Sequence, residues 1–203
     1  MMKAPSPIYL SESQVFWGEL APTEHVVYMY EAKDAFLRLL ENFTLDGLKN
    51  GESVIVIATK AHRQALNDRL EERGLDLASV RATCQYMNLS AENCLATFMK
   101  DGWPDEKRFN EAVGNIIKKV NRPGRNIRAF GEMVALLWAN GNSGATVRLE
   151  HLWNEFRRTQ PFALFCAYPK SGFTDDTDAS LQTICEAHTK VIFAEQTEKR
   201  RLG

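Results

Sequence analysis

The chain has 203 residues, of which 44% are hydrophobic and 25% are charged, so it is long enough to bury one substantial core. Its 25 basic and 26 acidic residues give a formal charge of -1, which provides no bulk attraction toward nucleic acid or anionic lipid. We therefore expect one globular domain with no direct nucleic-acid partner and no membrane partner.

The two ends of the chain differ in composition from the rest. Residues 1–24 are rich in Pro and Ser and are predicted to form an N-terminal arm or lid, whereas residues 195–203 form a basic, solvated tail. Residues 25–194 are then the folded domain. Because no apolar run approaches the roughly 20 residues that cross a bilayer, and the start lacks the apolar centre of a secretion signal, we expect a cytoplasmic protein.

The first elements of the domain alternate between strand and helix. The run HVVYMY (25–30) is β-branched and aromatic, which predicts a strand, and the helical pattern after it stops at Asn50-Gly51. The run SVIVIA (53–58) is continuously apolar, as in strands buried on both faces. A helix with a polar face follows it and ends at Gly74.

The same alternation continues to the end of the domain. Ser90 and Pro104 mark the starts of two further helices, through a side-chain cap and through the preference of proline for a first helical turn. Four more apolar runs are predicted as strands: CQYMNL (84–89), IRAFG (127–131), FALFCAY (162–168) and VIFAE (191–195).

Near-continuous apolar strands that alternate with helices predict a three-layer α/β fold, with a mainly parallel sheet covered by helices on both faces and connected by right-handed crossovers. Ligands of such sheets bind beyond the carboxyl ends of the strands. Those ends bring Tyr30, Glu31, Thr59, Glu132 and Tyr168 to one edge, which is therefore the predicted ligand cleft.

The turn after the first strand argues against nucleotide hydrolysis. A phosphate-binding loop at this position needs glycines, whose backbone amides cradle the phosphates. Here the turn reads YMYEAKDAF, which contains no glycine, and the carboxylates of Glu31 and Asp34 would repel a phosphate. We expect neither a conventional ATPase nor a bound cofactor.

Several segments carry a family resemblance. The most specific are FGEMVALLW (130–138), LWNEF (152–156) and CAYP (166–169), which occur in matching order and spacing. With the stretches around the first two strands, they make about residues 24–192 similar to the MEDS domain, the methanogen/methylotroph DcmR sensory domain.

The resemblance implies a RecA/KaiC-like fold without a phosphate loop, used as a sensory input in bacterial and archaeal signalling and suited to small organic ligands such as hydrocarbon derivatives. KaiC-like ATPases carry a glutamate pair after the second strand, where this chain has Thr59 and Lys60. Because family members often precede a histidine kinase or a DNA-binding segment and neither follows here, we expect output through a protein partner such as a kinase or regulator, or through self-association as a homodimer.

Two interpretations stay open for each polar residue near the fourth strand. Glu132 either caps the helix that follows or faces the cleft, and Trp138 either packs in the core or contacts the ligand. Glu150 and Asn154, spaced as i and i+4, form either a polar pair in the cleft or a solvated helix face. Arg128, inside the strand, needs a partner, which Glu132 or Glu150 could supply.

Other candidate groups come from strand ends and a helix start. His62 either binds ligand and titrates near neutrality or is an exposed helix residue. His25, at the far end of its strand from the cleft, is discounted, and His188 is interpreted as structural. The hydroxyls of the two strand-end tyrosines are suited to orienting a small ligand. The predicted ligand-binding set is Tyr30, Glu31, Thr59, His62, Glu132, Trp138, Glu150 and Tyr168.

No metal site is predicted. The four cysteines include no C-x-x-C pair, and Cys166 lies in an apolar strand, where a buried thiol is expected. The four histidines are scattered and show no H-x-x-x-H spacing.

The leading hypothesis is a noncatalytic sensory or regulatory domain, in which a small ligand contacts Glu132, Tyr30 and Tyr168 and shifts a lid or a dimer interface. One alternative is an enzyme with Glu132 as acid/base, assisted by His62 or Tyr168. A second alternative is an assembly module without a ligand.

Overall fold

Parallel strands organise the computed structural model, which describes residues 8–173 and 178–194. The strands are β1 (Ile8–Ser11), β2 (His25–Tyr30), β3 (Ser53–Ala58), β4 (Tyr86–Ser90), β5 (Met99–Lys100), β6 (Trp103–Pro104), β7 (Ile127–Gly131), β8 (Ala163–Pro169) and β9 (Lys190–Phe193). The short β5 and β6 form an antiparallel pair, and the other seven form one sheet in the order β1-β9-β2-β8-β7-β3-β4, with every neighbouring pair parallel.

Helices connect the strands. They are α1 (Lys33–Lys49), α2 (Lys60–Glu72), α3 (Leu77–Ala82), α4 (Ala91–Phe98), α5 (Glu106–Val120), α6 (Met133–Ala139), α7 (Ser143–Thr159) and α8 (Asp178–Glu186), with short 3-10 turns at Glu12–Gln14, Trp17–Glu19 and Lys170–Gly172.

The direction of the crossovers places the helices in two layers. From β2 to β4 the chain moves one way along the sheet, and from β4 to β9 it moves back. Right-handed crossovers in opposite directions must cover opposite faces. Accordingly α1, α2 and α3 bury their apolar residues in one core, and α4 to α8 bury theirs in the other. The predicted three-layer α/β fold with a mainly parallel sheet is confirmed.

Local sequence accounts for where the elements begin and end. Asp105 and Ser90 cap α5 and α4 by accepting the amides of Arg108 and Asn93. The strand β4 begins at Tyr86, two residues later than predicted, because Cys84 adopts a positive φ of 54° in the turn after α3. That turn has left-handed geometry, which cannot continue a strand.

The described part of the N-terminal segment packs against the domain. Within its described part, β1 extends the sheet by pairing with β9. The Trp17 indole is buried and packs against the rings of Phe43 and Phe165 at centroid distances of 5.2 and 4.9 Å. Residues 8–24 thus contribute to the sheet and to one core. The predicted basic tail, residues 195–203, lies outside the described residues.

Arg128 finds a different partner from either of the two predicted carboxylates. Its side chain is fully buried and its Nε pairs with Glu52, while Nη1 donates to the carbonyls of Trp17 and Phe43 at 3.1 and 3.0 Å. The prediction of Glu132 or Glu150 was wrong because the arginine points into the α1 layer, toward the amino end of its strand.

Across residues 8–173 and 178–194, no helix combines the length and the apolar character needed to span a membrane.

Packing around Arg128 predicts the effect of one added methyl group. A Cβ at Gly47 in α1 would lie 2.6 Å from Cδ of Arg128 and 2.8 Å from Cγ2 of Val54. Gly47→Ala should therefore lower the free energy of unfolding by about 1–3 kcal/mol in chemical denaturation. The matched control is Gly114→Ala in α5, where the nearest atom lies 4.0 Å away. Helix propensity should make that variant about 0.5–1 kcal/mol more stable, and equal stability of the two variants would contradict the clash.

Candidate functional site

Glu132 joins two neighbouring strand ends at the carboxyl edge of the sheet. It follows β7, and its backbone amide donates to the carbonyl of Ile57 at 2.8 Å. Its carboxylate accepts the backbone amide of Thr59 at 2.8 Å and lies 2.7 Å from Nδ1 of His62. It makes no capping bond to its own helix α6. The carboxylate therefore sits at the N-terminus of α2, the helix that follows the adjacent strand, where the helix dipole favours a negative charge.

Aromatic rings line one side of this carboxylate. The Tyr30 ring stacks on Phe36 at 4.8 Å, and Phe36 meets the edge of the His62 ring at 5.0 Å. Burial, followed by the nearby charge of Glu132, raises the pKa of the Tyr30 hydroxyl to about 12, so this hydroxyl stays protonated at neutral pH. Glu31 is exposed and pairs with Lys170 at 2.8 Å.

The remaining three predicted residues lie on the other face of the sheet. The Tyr168 hydroxyl donates to Oε1 of Glu150 at 2.6 Å, and both side chains are almost completely buried. The Trp138 indole packs in the core and donates to the Gly172 carbonyl at 2.7 Å. The prediction of Glu150 on a solvated helix face was therefore wrong, whereas the ligand-binding roles of Tyr168 and Glu150 stay predictions. The eight predicted residues form two groups: Tyr30, Glu31, Thr59, His62 and Glu132 in one, and Trp138, Glu150 and Tyr168 in the other.

Four side chains from distant parts of the sequence meet around Glu150. The potential ligand atoms of His25, Glu150, Cys166 and His188 all lie within 4.8 Å of one another, and all four residues are buried. Oε2 of Glu150 lies 3.5 Å from Nε2 of His25, 3.7 Å from Nε2 of His188 and 3.9 Å from Sγ of Cys166. Sγ of Cys166 is 3.5 Å from Nε2 of His25. We refer to these four residues as the α7 cluster.

Outer contacts fix the orientation of both imidazoles. Nδ1 of His25 lies 3.0 Å from Oδ1 of Asn154, whose amide nitrogen donates to the Ala187 carbonyl at 2.7 Å. Nδ1 of His188 donates to the Ile184 carbonyl at 2.6 Å. A ring nitrogen that donates a proton leaves the opposite nitrogen as an acceptor in the neutral tautomer. Both Nε2 atoms are thus acceptors, and they lie 3.5 and 3.7 Å from Oε2 of Glu150.

Burial governs the protonation of the α7 cluster. It raises the pKa of the Glu150 carboxyl to about 7 and lowers the pKa of His188 to about 3. Burial, and then the neighbouring His188, lowers the pKa of His25, while burial and Glu150 raise the pKa of the Cys166 thiol. At neutral pH both imidazoles are therefore neutral.

Sequence reasoning discounted His25 and treated Cys166 as an inert core thiol. One available signal was the position of Glu150, four residues after Thr146 and three before Trp153, both of which are buried in α7. A carboxylate on a buried helical stripe requires partners inside the protein.

Two cavities border these groups. One, of about 320 Å³, lies between α4 and α5 at the carboxyl ends of β3 and β4. We call it the α4–α5 pocket. The other, of about 640 Å³, lies at the amino edge of the sheet between α7 and α8, where its walls include His188 and Asn154. None of the eight predicted ligand residues lines either cavity.

Comparison with known proteins identifies one family. The family model described as MEDS, MEthanogen/methylotroph, DcmR Sensory domain, matches residues 24–189. No curated protein matches the chain.

The contacts of Glu132 predict a structural role for its carboxylate. Glu132→Ala should lower the free energy of unfolding by about 1–3 kcal/mol, because it leaves the Thr59 amide and the His62 ring without a partner. Chemical denaturation followed by circular dichroism measures this change. The control is Glu31→Ala, which removes one exposed ion pair and should cost at most about 1 kcal/mol. A Glu132→Ala variant as stable as the control would contradict the role of this carboxylate in joining the strand ends.

Proposed function

The chain belongs to the MEDS family of sensory domains, and on that premise we propose that it is a noncatalytic sensory module that binds a small organic ligand in the α4–α5 pocket. The single observation that supports this location is an apolar cavity of about 320 Å³ at the carboxyl edge of the sheet, where α/β proteins bind ligands. Its volume is at the lower end of the range for small-molecule sites.

The walls of the pocket suggest the chemistry of the ligand. Six of its residues are large and apolar: Ile57, Leu89, Phe98, Val113, Ile116 and Met133. Its polar groups come from Ser90, Asn93, Thr97, Asn115 and Lys119. A mostly apolar pocket with few polar groups favours a compact hydrocarbon derivative that carries one polar substituent.

The pocket also adjoins the structure around Glu132. Met133 lines the pocket and directly follows Glu132 in the chain. The Glu132 carboxylate contacts Thr59 and His62 at the start of α2. A ligand that binds better to one arrangement of these strand ends than to another would shift the population between them. We propose that a protein partner, such as a kinase or regulator, or a second copy of the chain in a homodimer reads this shift.

The RecA/KaiC-like origin of the fold stays a prediction. The predicted relation is to a fold of this kind that lacks its phosphate loop. The connection between β2 and α1, Glu31-Ala32, has only two residues. It is too short to wrap a phosphate with backbone amides, which is compatible with that prediction.

Filling the pocket should abolish ligand binding. Short haloalkanes, alcohols and small aromatics are screened by thermal shift, and hits are measured by calorimetry. A ligand at 100 times its Kd should stabilise the wild type by about 2.7 kcal/mol. Ala112→Phe, which places a ring in the pocket, should lose this stabilisation. Ala82→Phe, at an exposed position on α3, should retain it. Binding that survives Ala112→Phe would locate the ligand elsewhere, and the absence of any hit would contradict the proposed function.

The enzyme alternative makes the opposite prediction for the Glu132 and His62 pair. If Glu132 were an acid/base, the purified protein would turn over a small ester or halide, and Glu132→Gln would abolish this turnover. We expect no turnover in either protein, measured by product release with a matched blank.

A further inference from the structure

We propose that the α7 cluster, His25, Glu150, Cys166 and His188, is a buried binding site for one divalent transition metal ion, with Zn²⁺ as the first candidate. The site shares no residue with the α4–α5 pocket and lies under α7 on the sheet. The two proposals can therefore fail independently.

The separations within the cluster suit tetrahedral coordination. Ligand atoms bound to Zn²⁺ at about 2.0 to 2.3 Å lie about 3.3 to 3.6 Å from one another when the geometry is tetrahedral. Four of the six separations among these Nε2, Oε2 and Sγ atoms run from 3.5 to 3.9 Å, and all six are within 4.8 Å. Coordination of a central ion would shorten the four by a few tenths of an ångström and the other two by up to about 1.5 Å.

The α7 cluster contains a buried nitrogen acceptor that has no hydrogen-bond partner among the described residues. Nε2 of His188 has no hydrogen-bond partner among the described residues, and this side chain is buried. Its Nδ1 is held by the Ile184 carbonyl, so the ring cannot turn to satisfy Nε2 without losing a bond of 2.6 Å. A buried acceptor of this kind is costly unless something binds it. A cation at the centre of the cluster would bind it.

The surroundings of the ligands resemble the outer layer of known metal sites. Histidine ligands usually direct their other ring nitrogen at a carbonyl or carboxylate oxygen, which fixes the tautomer. His25 meets this condition through Asn154, and His188 through Ile184. The Glu150 carboxylate is held by the Tyr168 hydroxyl at 2.6 Å, which leaves Oε2 to face the centre.

The donor set selects the class of ion. Two imidazoles, one thiolate and one carboxylate suit Zn²⁺ and Co²⁺, whereas Ca²⁺ and Mg²⁺ require oxygen ligands alone. Binding would transfer the Cys166 thiol proton to solvent, together with the Glu150 proton where that group is protonated. The two anionic ligands would then balance the charge of the ion, so the buried site would be neutral overall.

The ion would enter from the amino edge of the sheet. His188 and its neighbour Asn154 line the cavity of about 640 Å³ between α7 and α8. Because the site is closed by four protein ligands, its role would be structural: the ion would tie β2, α7, β8 and the segment before β9 together.

Cobalt substitution provides the test. The purified full chain is stripped with chelator, and Zn²⁺ or Co²⁺ is titrated back. We expect one ion per chain, a higher Tm, and for Co²⁺ the absorption of a tetrahedral ion with a thiolate charge-transfer band.

Cys166→Ser should abolish that band, and His188→Gln should weaken Zn²⁺ binding more than tenfold in chelator competition. Asn154→Ala, which leaves all four ligands, should weaken binding about 10–100-fold.

Two controls separate this site from surface binding. Cys185→Ser removes another buried thiol, and His151→Gln removes an exposed histidine of the same helix. Both variants should bind like the wild type. A folded wild type that takes up no stoichiometric ion would overturn the proposal, as would a charge-transfer band that survives Cys166→Ser. Circular dichroism verifies folding, and Asn154→Ala serves as the test if a ligand variant does not fold.

Discussion

A sheet covered by helices on both faces excludes water, so each polar side chain inside it must find its partner within the protein. Three groups show how the chain meets most of this requirement, although Nη2 of Arg128 and Nε2 of His188 have no hydrogen-bond partner among the described residues. Arg128 combines the carboxylate of Glu52 with two backbone carbonyls. Glu132 uses the amide at the start of a neighbouring helix. Glu150 accepts the hydroxyl of Tyr168 on one oxygen and the thiol of Cys166, at 3.9 Å, on the other. This second oxygen also lies 3.5 and 3.7 Å from two imidazole nitrogens, which is too long for ordinary hydrogen bonds between nitrogen and oxygen.

Local patterns in the sequence predict where the strands and helices lie, but they do not predict which side chains contact one another in the core. The near-continuous apolar runs at 25–30, 53–58 and 127–131 coincide with strands, because burial on both faces removes the alternation of polar residues. The spacing of residues along one helix does not show what packs against each of its faces. It therefore predicts a surface or cleft position for Glu150, whose side chain is in fact buried on the inner face of α7. The α7 cluster draws on residues 25, 150, 166 and 188, and only the strand order brings such distant positions together.

The sequence predicts the candidate site in part: some of the predicted residues meet, and others lie on the opposite face of the sheet. Glu132, Thr59 and His62 were predicted together because all three follow strand ends, and they do meet. Tyr168 is also a strand-end residue, but its side chain points to the opposite face, since alternate residues of a strand face opposite layers. The two proposed sites lie on this second face and are linked by packing: Phe109 of α5 meets Trp153 of α7 with ring centroids 5.0 Å apart.

The order of strands at one edge of the sheet also constrains how the chain folds. Among residues 8–173 and 178–194, β1 pairs with β9 alone, and β9 separates it from β2. Because β9 follows β1 by nearly the whole domain, β1 must remain without its neighbour until that domain has been translated. Contacts between such distant segments form slowly. During that interval the apolar side chains of Ile8 and Tyr9, which remain exposed in the finished fold, are free to meet a chaperone or another nascent chain before their own sheet is complete.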